Sequence, residues 1–342
     1  MLIPKKMTDS VCFVCRYRNG EYEPVGTGFF VGMPFGNPAS NKYLALVVTA
    51  LHVITNIEGA GQTPDKIYLR VNTKDGGVEH VHIPSEQWTR PDINQQLENG
   101  IVDAAVCWFP GNNTTGNYDY LLMPASGEIA GRELLEEEGI GIGNEVFFAG
   151  LFIRHTETRR NEPIVRAGMI AAMPETIETR SGPQHAFLIE TRSIGGFSGS
   201  PVFVNAGFWR FDDDGQLKLR SSSFNRMQYL IGVISGHWDI GEEVQVAGGP
   251  TERASMNMGI AKATPMEKVL PLMEECVRKV ELLGAGLVIR DIVDAGKNLV
   301  DAVQSLLLRA AASQQNQSLS PNDATDQTTS ENPSTETGSS GQ

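Results

Sequence analysis

Between residues 11 and 262 the chain breaks into short apolar runs closed by glycine, proline, asparagine or aspartate, and this punctuation constrains the fold most. The runs cover residues 11–17, 22–32, 43–54, 66–71, 78–83 and 100–109. They resume at 145–150, 151–154, 163–171, 186–191, 201–211, 216–220, 228–235 and 256–262. Runs this short, rich in Val, Ile, Phe and Tyr and bounded by turn residues, read as strands. Asp75-Gly76-Gly77 and Asp212-Asp213-Asp214-Gly215 supply hairpin turns. Many short strands with few helical stretches between them predict an all-β sandwich or barrel.

The pattern changes at Thr264-Pro265. Met266, Val269, Leu270, Met273, Val277 and Val280 recur at helical spacing, with Pro265 suited to the first turn and Pro271 able to kink or split the helix. The sequence therefore predicts a β domain over residues 1–283 that ends in a closing helix at 265–283. A boundary between its two halves is expected near 120–140. An amphipathic segment follows at 284–312, with Leu287, Ile292, Leu299, Val303 and Leu306 on its apolar positions. Residues 313–342 hold no Lys or Arg and almost no apolar side chains. They cannot bury enough surface to offset ordering entropy, so a disordered tail is expected.

Several function classes drop out on composition. A net charge of -13 across 342 residues opposes binding to a phosphate backbone or an anionic membrane. No run approaches the roughly 18 apolar residues of a membrane span. Met1-Leu2-Ile3-Pro4-Lys5-Lys6 lacks the following apolar core of a signal peptide, so a cytoplasmic location is expected. Cys12, Cys15, Cys107 and Cys276 include one lone C-x-x-C on a strand-like run, where no second pair completes a zinc site, and buried free thiols are expected instead. Gly139-Ile140-Gly141-Ile142-Gly143 precedes a strand-like run rather than a helix, which argues against a nucleotide loop. The aspartates at 212–214 lack the alternate spacing of a calcium loop. His80 and His82 share one face of a strand, as solvent-facing residues or as a metal pair without a third ligand.

One loop carries the makings of chemistry. Gly195-Gly196-Phe197-Ser198-Gly199-Ser200-Pro201 joins two apolar runs and holds a serine between glycines, which permit tight turns and close backbone approach. A plain turn has the same composition. A nucleophilic Ser198 needs a base and an orienting acid. His52 ends the apolar run 43–54, and Asp103 is a lone carboxylate where another apolar run begins. A carboxylate at a buried edge needs a partner, and a histidine N–H is a suitable one.

On these residues the chain resembles the trypsin-like (chymotrypsin-fold) serine peptidases. Thr49-Ala50-Leu51-His52 is similar to the family's Thr-Ala-x-His block, Asp103-Ala104-Ala105-Val106 to its Asp-x-Ala-Val block, and Gly196-Phe197-Ser198-Gly199-Ser200-Pro201 to its nucleophile loop. Gly26-Thr27-Gly28-Phe29 and 230–235 resemble supporting strands. Met258-Gly259-Ile260-Ala261 with Pro265 is similar to bacterial Deg-like members. The resemblance covers about residues 10–275. It implies two six-stranded antiparallel β-barrels with C-terminal helices, and a serine endopeptidase without metal or organic cofactor. His52, Asp103 and Ser198 would be the catalytic residues, with the backbone N–H groups of Gly196 and Ser198 as the oxyanion hole.

Two departures stand out. Phe197 replaces the Asp or Asn often found before the serine, which argues against activation by N-terminal cleavage and leaves the loop without a polar anchor. Ser200 resembles the glutamyl-endopeptidase branch, in which His237, Arg192 and Ser193 would recognise an acidic substrate side chain. Ser235 and Gly236, at the end of the run that resembles the cleft-lining strand, complete the expected substrate-binding residues. His237 reads equally as a solvated loop residue. The expected partners are a protein or peptide substrate and a regulatory protein, since a cytosolic protease of this type needs restraint. The alternative is a latent or inactive trypsin-like fold that acts as a binding or scaffold protein. An α/β-hydrolase esterase is disfavoured because its elbow reads Gly-x-Ser-x-Gly and its histidine comes last.

Overall fold

The computed structural model describes residues 3–36, 42–59, 65–111, 116–151, 159–179, 181–191, 196–207, 209–211, 214–219, 228–244 and 252–294. The chain divides into two compact units, Met1–Leu282 and Leu283–Gln342. The first is mostly β.

Its first sheet is built from β1 (Val11–Arg18), β2 (Glu21–Pro34), β3 (Tyr43–Thr49), β4 (Lys66–Asn72), β5 (Val78–His82) and β6 (Ala105–Trp108). The strand order is β5-β4-β1-β2-β3-β6, antiparallel throughout. The short β7 (Met123–Pro124) adds to β2 in parallel. Short helices α1 (Lys5–Asp9), α2 (Leu51–Glu58), α3 (Ile93–Asn99), α4 (Ala125–Glu128) and α5 (Arg132–Glu137) lie before, between and after these strands.

The second sheet contains β8 (Glu145–Gly150), β9 (Ile164–Ala172), β12 (Phe187–Glu190), β13 (Pro201–Asn205), β16 (Gln228–Val244) and β17 (Glu252–Pro265), closed as β12-β17-β16-β13-β8-β9. Two small hairpins stand apart from it, β10 (Ile177–Thr179) with β11 (Gly182–Gln184), and β14 (Trp209–Phe211) with β15 (Leu217–Leu219).

The expectation of two closed six-stranded barrels is therefore corrected: one sheet closes and the other does not. The reason lies after β5. Pro84 has no N–H for a ladder, and Ser85–Gln87 winds into a 3₁₀ turn. The chain regains the sheet only at Thr89, which exchanges two backbone hydrogen bonds with Val106 of β6 (2.7 and 3.0 Å). Among the described residues the segment after β5 thus meets β6 through one bridge, not a ladder.

Burial on both faces explains why the strands read as continuous apolar runs. In the first sheet Phe30, Val47, Ala105 and Cys107 join one core, while Phe29, Val31, Leu46, Val48 and Val106 point the other way. In the barrel Val146, Phe148, Val202 and Val204 share one cluster, whereas Phe147 and Phe203 leave it. The outward sets of both sheets meet in a common core with Met266, Val269, Met273 and Cys276 of α6 (Met266–Asp294). All four cysteines are free and buried, and burial pushes the Cys15 thiol up to about 12 and Cys276 to about 11.

Sequence and structure differ at three further places. The apolar run 43–54 is not one strand: it ends at Thr49, and helix α2 starts at Leu51. The run 100–109 pairs as a strand only from Ala105. The helix expected to close at 283 continues to Asp294, straight through Pro271. A proline in its second turn removes one hydrogen bond, and the buried face of Val269, Met273 and Cys276 outweighs that loss. Residues 295–312, the tail 313–342 and most of the run 151–154 lie outside the described residues. Among the described residues no helix is long and apolar enough to cross a membrane.

Candidate active site

His52 is the second residue of α2, at the point where β3 gives way to helix. The first N–H groups of a helix have no partner within it. Ala50, at the N-cap, has no side chain to offer one. Asp103 supplies it: its Oδ1 accepts from the His52 backbone N–H at 2.9 Å. Its Oδ2 lies 2.7 Å from His52 Nδ1. A carboxylate oxygen accepts, so Nδ1 donates and Nε2 is left as the acceptor on the open side of the ring. Two bonds to one carboxylate fix both the helix start and the imbalance between the ring nitrogens. The Asp103 side chain is 11% exposed and that of His52 36%, so the acid is enclosed and the base reaches solvent.

Asp103 can do this because residues 101–104 are not in a ladder. The segment is clamped from the second half of the domain. Ile101 N–H donates to Pro183 O (2.8 Å), His185 N–H donates to Ile101 O (2.9 Å), and Thr264 Oγ1 donates to Asp103 O (3.3 Å). Base and acid thus lie at the ends of two adjacent strands of one sheet, His52 just after β3 and Asp103 just before β6, while the acid's main chain is held by elements that pack on it from the other half.

Ser198 sits in a turn immediately before β13. Its loop is placed by main-chain contacts. Thr27 N–H donates to Ser198 O (2.8 Å), Gly199 N–H to Ile234 O (2.7 Å) and Ser200 N–H to Phe197 O (2.9 Å). Gly199 has φ +88°, and a Cβ there would fall on Thr27 O and within 3.1 Å of Ala50 N. That contact seats the serine loop directly against the start of α2, beside His52. A Cβ on Gly26 would meet Val53 at 2.7 Å and Ser198 O at 3.3 Å, so this glycine is also required by close approach. Both Ser198 and His52 are described, and no hydrogen bond joins Ser198 Oγ to the imidazole among the described residues.

The Phe197 position is better anchored than its sequence implies. The ring is fully buried, edge-on to Phe148 at 5.4 Å, with the Arg166 guanidinium 5.7 Å from its centroid. Thr27 supplies the polar hold: its Oγ1 donates to Gly196 O and accepts from Leu151 N–H, each at 2.8 Å. Sequence reasoning singled out Gly26-Thr27-Gly28 only as a supporting strand. The signal that could have found Thr27 is a lone hydroxyl between two glycines in an apolar strand, where a buried polar group needs partners.

The expected substrate-side residues are only partly placed. Ser235 is buried and its Oγ accepts from Gln184 Nε2 (3.2 Å). Gly236 has φ +134° at a bulge in the β16–β17 pairing, and His237 is half-buried just beyond it. Arg192 and Ser193 lie outside the described residues, as does His155. His80 stacks on Tyr22 (3.8 Å, 8°), far from a ligand role, and burial lowers its pKa. No group of three His, Cys, Asp or Glu among the described residues is arranged to hold a metal.

No family model matches the chain, and no curated protein matches it. Among solved structures, it is similar to the MamO protease domain from Magnetospirillum magneticum at 15% identity and TM-score 0.42, over 78% of this chain and 96% of that one. It is also similar to the HtrA-type protease AlgW with a tripeptide (16%, TM-score 0.44), over 80% of this chain but only 62% of that one. A third is Deg5 (14%, TM-score 0.41), over 78% of this chain and 88% of that one.

Proposed function

We propose that the chain is a trypsin-like serine endopeptidase of the HtrA/Deg type that hydrolyses peptide bonds through a Ser198–His52–Asp103 triad. The observation that carries this reading is the doubly bonded His52–Asp103 pair, with the Gly196–Ser200 turn packed against the start of the same helix. Ser198 Oγ attacks the peptide carbonyl while His52 Nε2 takes its proton. The imidazolium, held by Asp103, returns that proton to the leaving amine. Water then repeats the sequence in reverse and frees the acyl group from Ser198. The backbone N–H groups of Gly196 and Ser198 receive the oxyanion, each donor being worth about 3–4 kcal/mol in comparable enzymes. We place the substrate among proteins or peptides, with Ser235, Gly236 and His237 along its path. No metal or organic cofactor enters these steps.

A second reading, a latent triad on a binding protein, is supported by one observation: no hydrogen bond joins Ser198 Oγ to His52. A fluorophosphonate probe separates the two. Labelling of the wild type that disappears in Ser198→Ala supports the peptidase. Absence of labelling under every condition, with candidate partners included, supports the latent protein.

A further inference from the structure

Every polar atom of Thr27 is committed to the candidate site or to its immediate frame. Its N–H holds Ser198 O, its hydroxyl holds Gly196 O, the same hydroxyl accepts from Leu151 N–H, and its carbonyl accepts from Thr49 Oγ1 at 2.7 Å. The residue is fully buried. It therefore touches the nucleophile loop, the strand before α2 and the end of β8 at once.

Gly196 and Ser198 are the two residues whose N–H groups would face an oxyanion. Both have their carbonyls held by Thr27, one by its side chain and one by its main chain, which fixes the 196–197 and 198–199 peptide planes on either side of the peptide that carries the Ser198 N–H. Gly196 sits at φ +102°, a region that glycine enters without steric cost and leaves as readily. Pinning its carbonyl removes the rotation about ψ that would otherwise turn the peptide following it. A hydroxyl suits the position because one atom must donate to Gly196 O and accept from Leu151 N–H together. Phe197 gives the loop apolar depth but no direction for its peptides.

We propose that Thr27 is a positioning residue for the oxyanion loop, acting through the carbonyls of Gly196 and Ser198. This deepens the peptidase reading and rests on it for its catalytic meaning. Its structural meaning is independent: the hydroxyl orders residues 196–200. Thr27 does not touch the substrate, so its loss affects turnover rather than capture.

The test compares Thr27→Val, which keeps the shape and loses the hydroxyl, with Thr27→Ser, which keeps the hydroxyl and loses the methyl. Thr27→Val should lower kcat by on the order of 10²-fold with little change in KM, the scale of a misplaced catalytic geometry. Thr27→Ser should stay within about threefold of wild type, since both hydrogen bonds survive. Amide hydrogen exchange of the full chain gives the second readout. Peptides covering 147–151 and 196–204 should exchange faster in Thr27→Val and not in Thr27→Ser. Should Thr27→Val fail to fold, Thr27→Ala takes its place with the same readouts. Unchanged exchange in the hydroxyl-free variant overturns the proposal, whatever the activity. So does equal damage in Thr27→Ser, which would assign the effect to the methyl group. An absence of fluorophosphonate labelling in the wild type counts against the peptidase reading alone, because the exchange comparison still decides what Thr27 holds.

Discussion

The two halves of the candidate site are held by different physics. His52 and Asp103 are joined side chain to side chain, with a second bond from the same carboxylate to the helix backbone. Ser198 is held almost entirely through main-chain atoms: its own carbonyl, the Gly199 N–H, and the close approach that two glycines permit. The first half depends on which functional groups are present. The second depends on where the backbone can pass. Substitutions in the first should therefore change chemistry and spare the fold, whereas substitutions in the second at the glycines that permit close approach should damage the fold before the chemistry can be read.

Asp103→Asn is the largest expected effect on the chemical side. An asparagine oxygen can still accept from the His52 N–H, but its amide nitrogen donates and cannot accept from Nδ1–H as the second carboxylate oxygen does. Turnover should fall on the order of 10⁴-fold, about 5.5 kcal/mol of barrier, with an unchanged circular dichroism spectrum. A near-normal rate would break the comparison by detaching the acid role from this pair.

Gly199→Ala probes the other half. The added methyl would fall on Thr27 O, and the residue would be held at φ +88°. Thermal unfolding should show a loss of about 4 kcal/mol or no folded protein at all, strain and overlap together. An unchanged melt would mean that the loop is not held by close approach.

Ser200→Ala is the smallest of the three. Ser200 is fully buried, and its Oγ has no hydrogen-bond partner among the described residues. Removing an unpaired hydroxyl should change urea-unfolding stability by less than about 1 kcal/mol, towards greater stability. A loss well above that would reveal a further side-chain tether, besides the Thr27 hydroxyl, in the half held mainly by main-chain contacts.

Residue types that announce their chemistry were legible at once. His52 and Asp103 stood out as polar groups at the ends of apolar runs, and the turn composition around Ser198 marked a loop. The strands were legible from their punctuation, because residues buried on both faces leave unbroken apolar runs between turns. Sequence reasoning ran past the strand-to-helix change at Ala50 and started the strand too early at Gly100. Both errors have one cause: apolar residues are demanded by burial in either secondary structure, so an apolar run does not report where a ladder begins or ends.

The chain's sequence by itself determined a mostly β protein, the α6 apolar face, and the candidate groups His52, Asp103 and Ser198. Only the tertiary structure decided that one sheet closes while the other meets across the Thr89–Val106 bridge. It alone decided that Asp103 would cap the helix bearing His52, and that Thr27 would hold the carbonyls of Gly196 and Ser198 from 169 residues away in the case of Gly196. Residue identity fixes which groups can donate, accept or ionise. The pairing of two backbone carbonyls with one threonine depends on how strands distant in sequence are laid side by side, and no local pattern encodes that.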